Sequence, residues 1–365
     1  MKKIIILLFL LIPVFAFAQI DDIPKDTFFK AEVIEIIEQQ RTILPDGTET
    51  EQQNLLLRGL EGEYENKEFQ FNGIGSFDVI GKNIYKVRDK VLVIASFDAE
   101  GNYIYYITDY VRNGIIYWLV VIFILLLLII GRFKGLRSIL ALVLTFLVII
   151  KYIIPQILSG SNPIVVTIIG AFIILLIIIY LTEGFRSLSH ISIVSIFFSL
   201  LLTIFISWLF VSLAKLTGVF SEDISFLINL GDQVINFKGL LLAGIIIGAL
   251  GVLDDVVISQ VATVEQIAKA NPALKSCELY KRAYKVGVSH ITSMTNTLFL
   301  AYAGVSLPLL ILFISGESAF ISWNQIINNE AMATEIIRTL SGSLGLILSV
   351  PIANFIAVWR YGAKH

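Results

Sequence analysis

The sequence predicts an α-helical polytopic membrane protein of about seven transmembrane helices, preceded by a small all-β extracytoplasmic domain. Three observations predict it. The 365 residues are 56% hydrophobic and 15% charged, with a mean hydropathy of +0.84, which places them outside the range of soluble domains. From residue 114 onward, apolar runs recur at about the 20 residues that a helix needs to cross a hydrocarbon core. Ahead of them lies a polar stretch in which short alternating segments replace long apolar runs.

Residues 1–18 read as a signal peptide. Lys2 and Lys3 form a basic start, IIILLFLLIPVF is a short apolar centre, and Ala16-Phe17-Ala18 is a small-residue cleavage box. Cleavage there makes Gln19 the first mature residue; an uncleaved first membrane helix is the competing reading.

Residues 19–113 carry the alternating pieces KAEVIEIIE, EQQNLLLRGL, KEFQFNG, KVLVIASF and NYIYYITDY. The turn signals PDGT (45–48), NGIG (72–75) and AEGN (99–102) separate several of them. Short strands at this spacing predict a small antiparallel sheet or barrel. The chain's one cysteine, Cys277, lies outside this region, so the β domain depends on its own core. One cysteine also excludes an internal disulfide and any CxxC metal or redox pair.

The transmembrane domain, 114–365, holds seven candidate spans at about 114–131, 136–154, 163–182, 190–213, 238–258, 296–315 and 340–359. Loop charges orient them. With residues 19–113 outside, the cytoplasmic segments hold Arg132, Lys134 and Arg137, then Arg186, then Lys269, Lys275, Lys281, Arg282 and Lys285, then Arg360 and Lys364. The external segments hold Lys151, Lys215, Lys238 and Arg338 beside the acids Glu222, Asp223, Asp232, Glu317, Glu330 and Glu335. That asymmetry follows the positive-inside rule and sets the C-terminus in the cytoplasm. Tyr117 and Trp118, and Trp359 and Tyr361, sit where interfacial anchors belong. The expected location is a bacterial inner membrane, with the lipid bilayer as the first partner. A net charge of −2 gives no field for nucleic acid, and none is expected as a partner. No inverted internal repeat is visible, which counts against a standard transporter architecture.

The chemistry gathers in two runs. In GALGVLDDVVISQVATVEQ (248–266), Asp254 shares a helical stripe with Glu265, and Asp255 shares the next with Ser259. Carboxylates in a span are costly and mark ion, proton or metal paths. Simple contact with water at the helix end is the plainer alternative. In SHITSMTNTLFLAYAG (289–304), His290, Ser293 and Thr297 step along one face, and Ser289, Thr292 and Asn296 along its neighbour. If these faces meet, Asp254, Asp255, Ser259, Glu265, His290, Ser293, Asn296 and Thr297 form an ion or substrate site. Ordinary interhelical hydrogen bonding is the other reading. A bound cation would suit the site, and no other cofactor is implied.

Gly244, Gly248 and Gly251 read as a helix-packing surface. Pro351, three residues before Asn354, reads as a packing kink or as a break that lines a cavity. No GxSxG, HExxH or P-loop is present, and an enzyme is not expected.

These runs resemble those of the YibE/F family of bacterial multi-pass membrane proteins. The resemblance is most specific in 248–266 and in SHITSMTNTLFLAYAGVSLPLL (289–310). It extends to DYVR (109–112), GRFKGLRS (131–138), IIPQILSGSNP (153–163) and GSLGLILSVPIA (342–353). In the β domain, GEYENKEFQFN (62–72) and YKVRDKVLV (85–93) are similar to family segments. Arg88 stands where a glycine is usual, so the tight turn there is expected to differ. Asp255, Ser259, His290, Asn296 and Thr297 fall on the family's characteristic polar positions. Asp254 does so for the branch with a double aspartate, and Glu265 matches more loosely. The resemblance implies an architecture and no settled activity.

Two functions follow as expectations. One is a transporter or permease-like protein for an ion or small solute, using the carboxylate cluster of the fifth and sixth spans. The alternative is a membrane scaffold or assembly factor whose external β domain binds a partner protein.

Overall fold

A computed structural model describes residues 27–43, 49–74, 84–97, 103–220, 224, 235–315 and 322–362. The expected signal peptide and the PDGT and AEGN turns lie outside the described residues. The chain divides into two compact units, Met1–Leu126 and Leu127–His365.

In the first unit, five strands form one antiparallel sheet in the order β3-β2-β1-β4-β5, an open half-barrel. They are β1 (Thr27–Ile43), β2 (Glu49–Gly59), β3 (Glu68–Asn72), β4 (Lys90–Phe97) and β5 (Tyr103–Tyr110). Period-two alternation sets the core: Phe29, Ala31 and Val33 of β1 face Leu55 and Leu57 of β2 and Val91 and Val93 of β4. The register of β1 on β2 shifts after Val33 and again after Ile36. The first of these shifts breaks the KAEVIEIIE alternation and brings Ile36 against the core that Val33 begins. Phe29 stacks on Tyr64 at 4.1 Å between ring centroids, and Phe69 meets Tyr105 at 4.5 Å. Gln53 is buried and satisfied: its amide donates to the Tyr85 carbonyl at 3.1 Å, and its oxygen accepts from the Tyr85 N–H at 2.7 Å.

The turn before β4 is tight at Arg88. Its backbone adopts φ 77°, the left-handed conformation that glycine favours. The Asp89 N–H donates to the Lys86 carbonyl at 3.0 Å and the Arg88 N–H to the Val33 carbonyl at 2.8 Å, so the turn closes as a glycine turn would.

The helical part comprises α1 (Asn113–Val148), a π turn (Ile149–Ile153), α2 (Ile154–Leu158), α3 (Pro163–Thr182), α4 (Ser187–Leu213), α5 (Phe237–Ala270), α6 (Ser276–Val305), α7 (Leu307–Ile314), α8 (Trp323–Asn328) and α9 (Glu330–Tyr361). Five helical runs among the described residues are long and apolar enough to cross a membrane. The count becomes six if α6 and α7, bent by 65° at Ser306, make one broken span. The first two spans expected from sequence fall within one run of 46 residues, Asn113–Leu158. At Arg132 that run leaves helical geometry, with φ 49° and ψ −127°.

The core of the second unit forms around α5, which packs on α3, α4, α6 and α9. Ile246, Leu253, Val257 and Val261 of α5 meet Ile174, Leu175 and Ile179 of α3, Ile196 and Leu200 of α4, and Ala353 and Ala357 of α9. Close approach depends on two glycines. A Cβ on Gly345 of α9 would overlap the Thr203 hydroxyl of α4, and one on Gly287 of α6 would lie 2.6 Å from Val350 and 2.7 Å from Gln260.

Candidate functional site

Consecutive residues of a helix point about 100° apart, so neighbouring acids cannot share a setting when one face is packed. Asp254 is 9% exposed, whereas Asp255 and Ser259 are exposed. The Asp254 carboxylate accepts the Asp255 N–H at 2.8 Å. Among the described residues it makes no ion pair. Glu265, a few turns on, is paired with Lys269 at 2.9 Å.

The polar run of α6 lies mostly on the side away from the bundle. The helix packs through the buried Leu279, Ala283, Gly287 and Leu298, and Ile291 and Met294 meet Val256, Leu346 and Val350. Ser293, Asn296 and Thr297 are therefore exposed, and His290 is half-buried. The Thr297 hydroxyl donates to its own helix at the Ser293 carbonyl, at 3.1 Å. Asp254 projects from α5 about 160° away from Val256, which packs in the cluster that takes in Ile291 and Met294 of α6. Among the described residues, no hydrogen bond joins the α5 acids to His290, Ser293, Asn296 or Thr297, and no group of three His, Cys, Asp or Glu side chains is arranged to hold a metal.

Two buried polar features are absent from the sequence reading. Gln260 on α5, 2% exposed, donates its amide to the Asn354 side-chain oxygen at 2.6 Å and to the Ala283 carbonyl at 2.9 Å. One side chain thus ties α5, α6 and α9 together. The Asn354 amide nitrogen is buried without a hydrogen-bond partner. The second feature is a ladder on α4: Ser195, Ser199, Thr203 and Ser207 are buried, and each donates to the carbonyl four residues before it at 2.8 Å. Its signal in the sequence is the four-residue spacing within SIFFSLLLTIFIS (195–207).

The glycines of α5 divide. Gly244 and Gly251 face open space, and Gly248 lies under the Tyr302 hydroxyl of α6, 3.0 Å from where a Cβ would be. Pro351 sits inside α9, one turn before Asn354, where it removes a backbone donor.

A family model described as YibE/F-like protein matches residues 119–363. The chain belongs to the YibE/F family. The match takes in Asp254, Gln260, Asn354 and the α4 ladder, and it leaves the β sheet outside. No curated protein and no solved structure matches the chain.

In this YibE/F chain, the described residues of the helical unit therefore offer a buried carboxylate without a countercharge, a three-helix amide bridge and a hydroxyl ladder. An unpaired carboxylate in an apolar bundle can hold a proton or receive a cation. It is poorly suited to a permanent structural ion pair, because among the described residues no cation stands opposite it.

Proposed function

We propose that the protein is a permease-like carrier of a proton or small cation, with Asp254 as the group that loads and releases it. The observation that carries the reading is the burial of the Asp254 carboxylate in an apolar bundle without an ion-pair partner among the described residues. An ionisable group held there at a solvation cost is a functional candidate by default. The exposed Asp255 and Ser259 on the adjoining face of α5 supply a polar approach to it.

The proposal includes seven crossings of a bacterial inner membrane. At about 1.5 Å per residue, a 46-residue run is about 69 Å long, more than twice a hydrocarbon core of about 30 Å. The break at Arg132 divides it into two segments of membrane length, and a Cβ on Gly135 would overlap the Leu127 carbonyl, so the backbone folds back there. With the α6–α7 pair as one broken span, the total is seven. Arg132, Lys134 and Arg137 at the reversal favour the cytoplasmic side for it, and hence residues 19–113 outside and the C-terminus inside.

The test is proton and monovalent-cation flux in proteoliposomes. Asp254→Asn is expected to lower flux by at least about tenfold, the loss typical of removing a group that acts directly. Unchanged flux in that variant would end the carboxylate mechanism.

A second reading, a scaffold, draws on β5. Among the described residues β5 is hydrogen-bonded to β4 alone, and β3 meets it through side chains, Phe69 against Tyr105, so its unpaired backbone edge can take a strand from a partner protein that enters beside β3. Crosslinking from Thr108 in cells distinguishes the two. A single protein captured stoichiometrically, together with normal growth phenotypes in Asp254→Asn, favours the scaffold.

A further inference from the structure

We infer that the groove between the start of α4 and the end of α9 is a binding site for one anionic phospholipid. The groove has a volume of about 480 Å³. Ile191 and Val194 of α4 and Ile356 and Trp359 of α9 make its walls, and His190 and Arg360 stand among them. The two kinds of lining call for the two ends of an amphiphile. Trp359 is 81% exposed and Val194 43%, an apolar surface that an acyl chain covers and a water-soluble ion does not.

The charge on this site is unspent. Arg360 is exposed and, among the described residues, makes no ion pair. His190 Nδ1 lies 2.9 Å from the Tyr180 hydroxyl; with that hydroxyl as donor, Nε2 carries the ring's N–H, which among the described residues has no partner and can donate to an anion. Arg360 lies in the last turn of α9 and His190 in the first turn of α4, so both stand at one end of the bundle. An indole beside a guanidinium at a helix end is the arrangement of a membrane interface, and basic recesses between transmembrane helices there recognise phosphate headgroups. A zwitterionic lipid would satisfy the walls but bring its own cation to Arg360. Free phosphate would satisfy Arg360 but leave the walls bare. An anionic phospholipid satisfies both.

Native mass spectrometry of the full-length protein tests this, after equilibration in mixed micelles with equal amounts of phosphatidylglycerol and phosphatidylcholine. The wild type is expected to retain one phosphatidylglycerol with a preference of about tenfold. Arg360→Gln should reduce the preference to near parity. Val194→Trp, which fills the groove and leaves the charge, should strip lipid of both kinds. Arg282→Gln, on the outer face of α6, should change neither. Equal retention of the two lipids by the wild type overturns the proposal, as does a preference that survives Arg360→Gln or a bound lipid that survives Val194→Trp. Loss of the bound phosphatidylglycerol to millimolar inorganic phosphate alone also overturns it, since the site is then one for a free anion.

Discussion

Gln260 and Asn354, 94 residues apart in sequence, share a hydrogen bond of 2.6 Å in the core of the helical unit. Gln260 is 2% exposed and Asn354 fully buried, and the Ala283 carbonyl completes the bridge. Asn354→Leu is expected to cost about 1–3 kcal/mol, because it removes an acceptor from a buried donor. Pairing it with Gln260→Leu should recover part of that loss, since no orphaned amide remains. Thermal unfolding in detergent measures both, and a double variant as unstable as the sum of the singles would contradict the bridge.

The glycines give a contrast within one fold. Gly345→Ala forces a Cβ into the Thr203 hydroxyl and should destabilise by about 1–3 kcal/mol. Gly251→Ala meets nothing within 4 Å and should be neutral or stabilise by up to about 1 kcal/mol through helix propensity. Equal effects in the two variants would mean that α4 and α9 are not in close contact at Thr203.

Asp254 and Asp255 should respond differently to loss of charge. Asp254→Asn removes a buried carboxylate without a countercharge and should melt no lower than the wild type. Asp255→Asn, at an exposed position, should shift stability by less than about 0.5 kcal/mol. A sharply destabilised Asp254→Asn would make Asp254 a structural acceptor.

Arg88→Gly should stabilise the β unit. The residue holds φ 77°, where an L side chain costs about 1–2 kcal/mol, and glycine gives back part of that gain through its freer unfolded chain. The expected net is about 0.5–1 kcal/mol in a urea titration followed by tyrosine fluorescence. A loss of stability would show that the Arg88 side chain contributes more than its backbone costs.

Alkali should loosen the same unit. Burial, followed by the charges of Tyr103, Tyr105 and Glu63, raises the Tyr64 phenol above its ordinary value of 10.0. A phenol that binds its proton more tightly when folded contributes stability that is fully present below the unfolded value and disappears as pH climbs through the folded one. Tyrosinate absorbance and circular dichroism, read together from about pH 9 to 12, should show a late-ionising fraction whose appearance coincides with loss of sheet. Replacing Tyr64 by Phe should shrink that fraction and delay the loss of sheet, and the remainder belongs to Tyr105 and Tyr110, whose phenols burial also raises.

Much of this architecture is legible in the sequence because it depends on period. Alternation marks the five strands, and β1 departs from it where the register shift after Val33 carries the inward face to Ile36. Apolar length marks the helices, although length alone cannot say whether a chain runs on or reverses at Arg132. The site was less legible, because composition does not tell which way a helix turns. The hydroxyls of α6 look like partners for the α5 acids in a linear reading. The packing of Gly287, Ile291 and Met294 on the bundle turns Ser293 and Asn296 outward. The pairing of Gln260 with Asn354 is hidden for another reason: it is long-range, and although Asn354 stands out beside Pro351, nothing in the sequence points from it to Gln260.

The α4 ladder has a consequence for what can pack against it. Ser195, Ser199, Thr203 and Ser207 each commit their only proton to a carbonyl of their own helix. What remains on the outer side of each oxygen is a lone pair. The row is therefore one-signed despite being uncharged: it can solvate a cation or accept from an N–H, and it has no hydrogen left to offer a chloride or a carboxylate. A helix can therefore pack against that row with a glycine, as α9 does with Gly345 at Thr203, or with a donor, whereas a facing row of acceptors would find no hydrogen there.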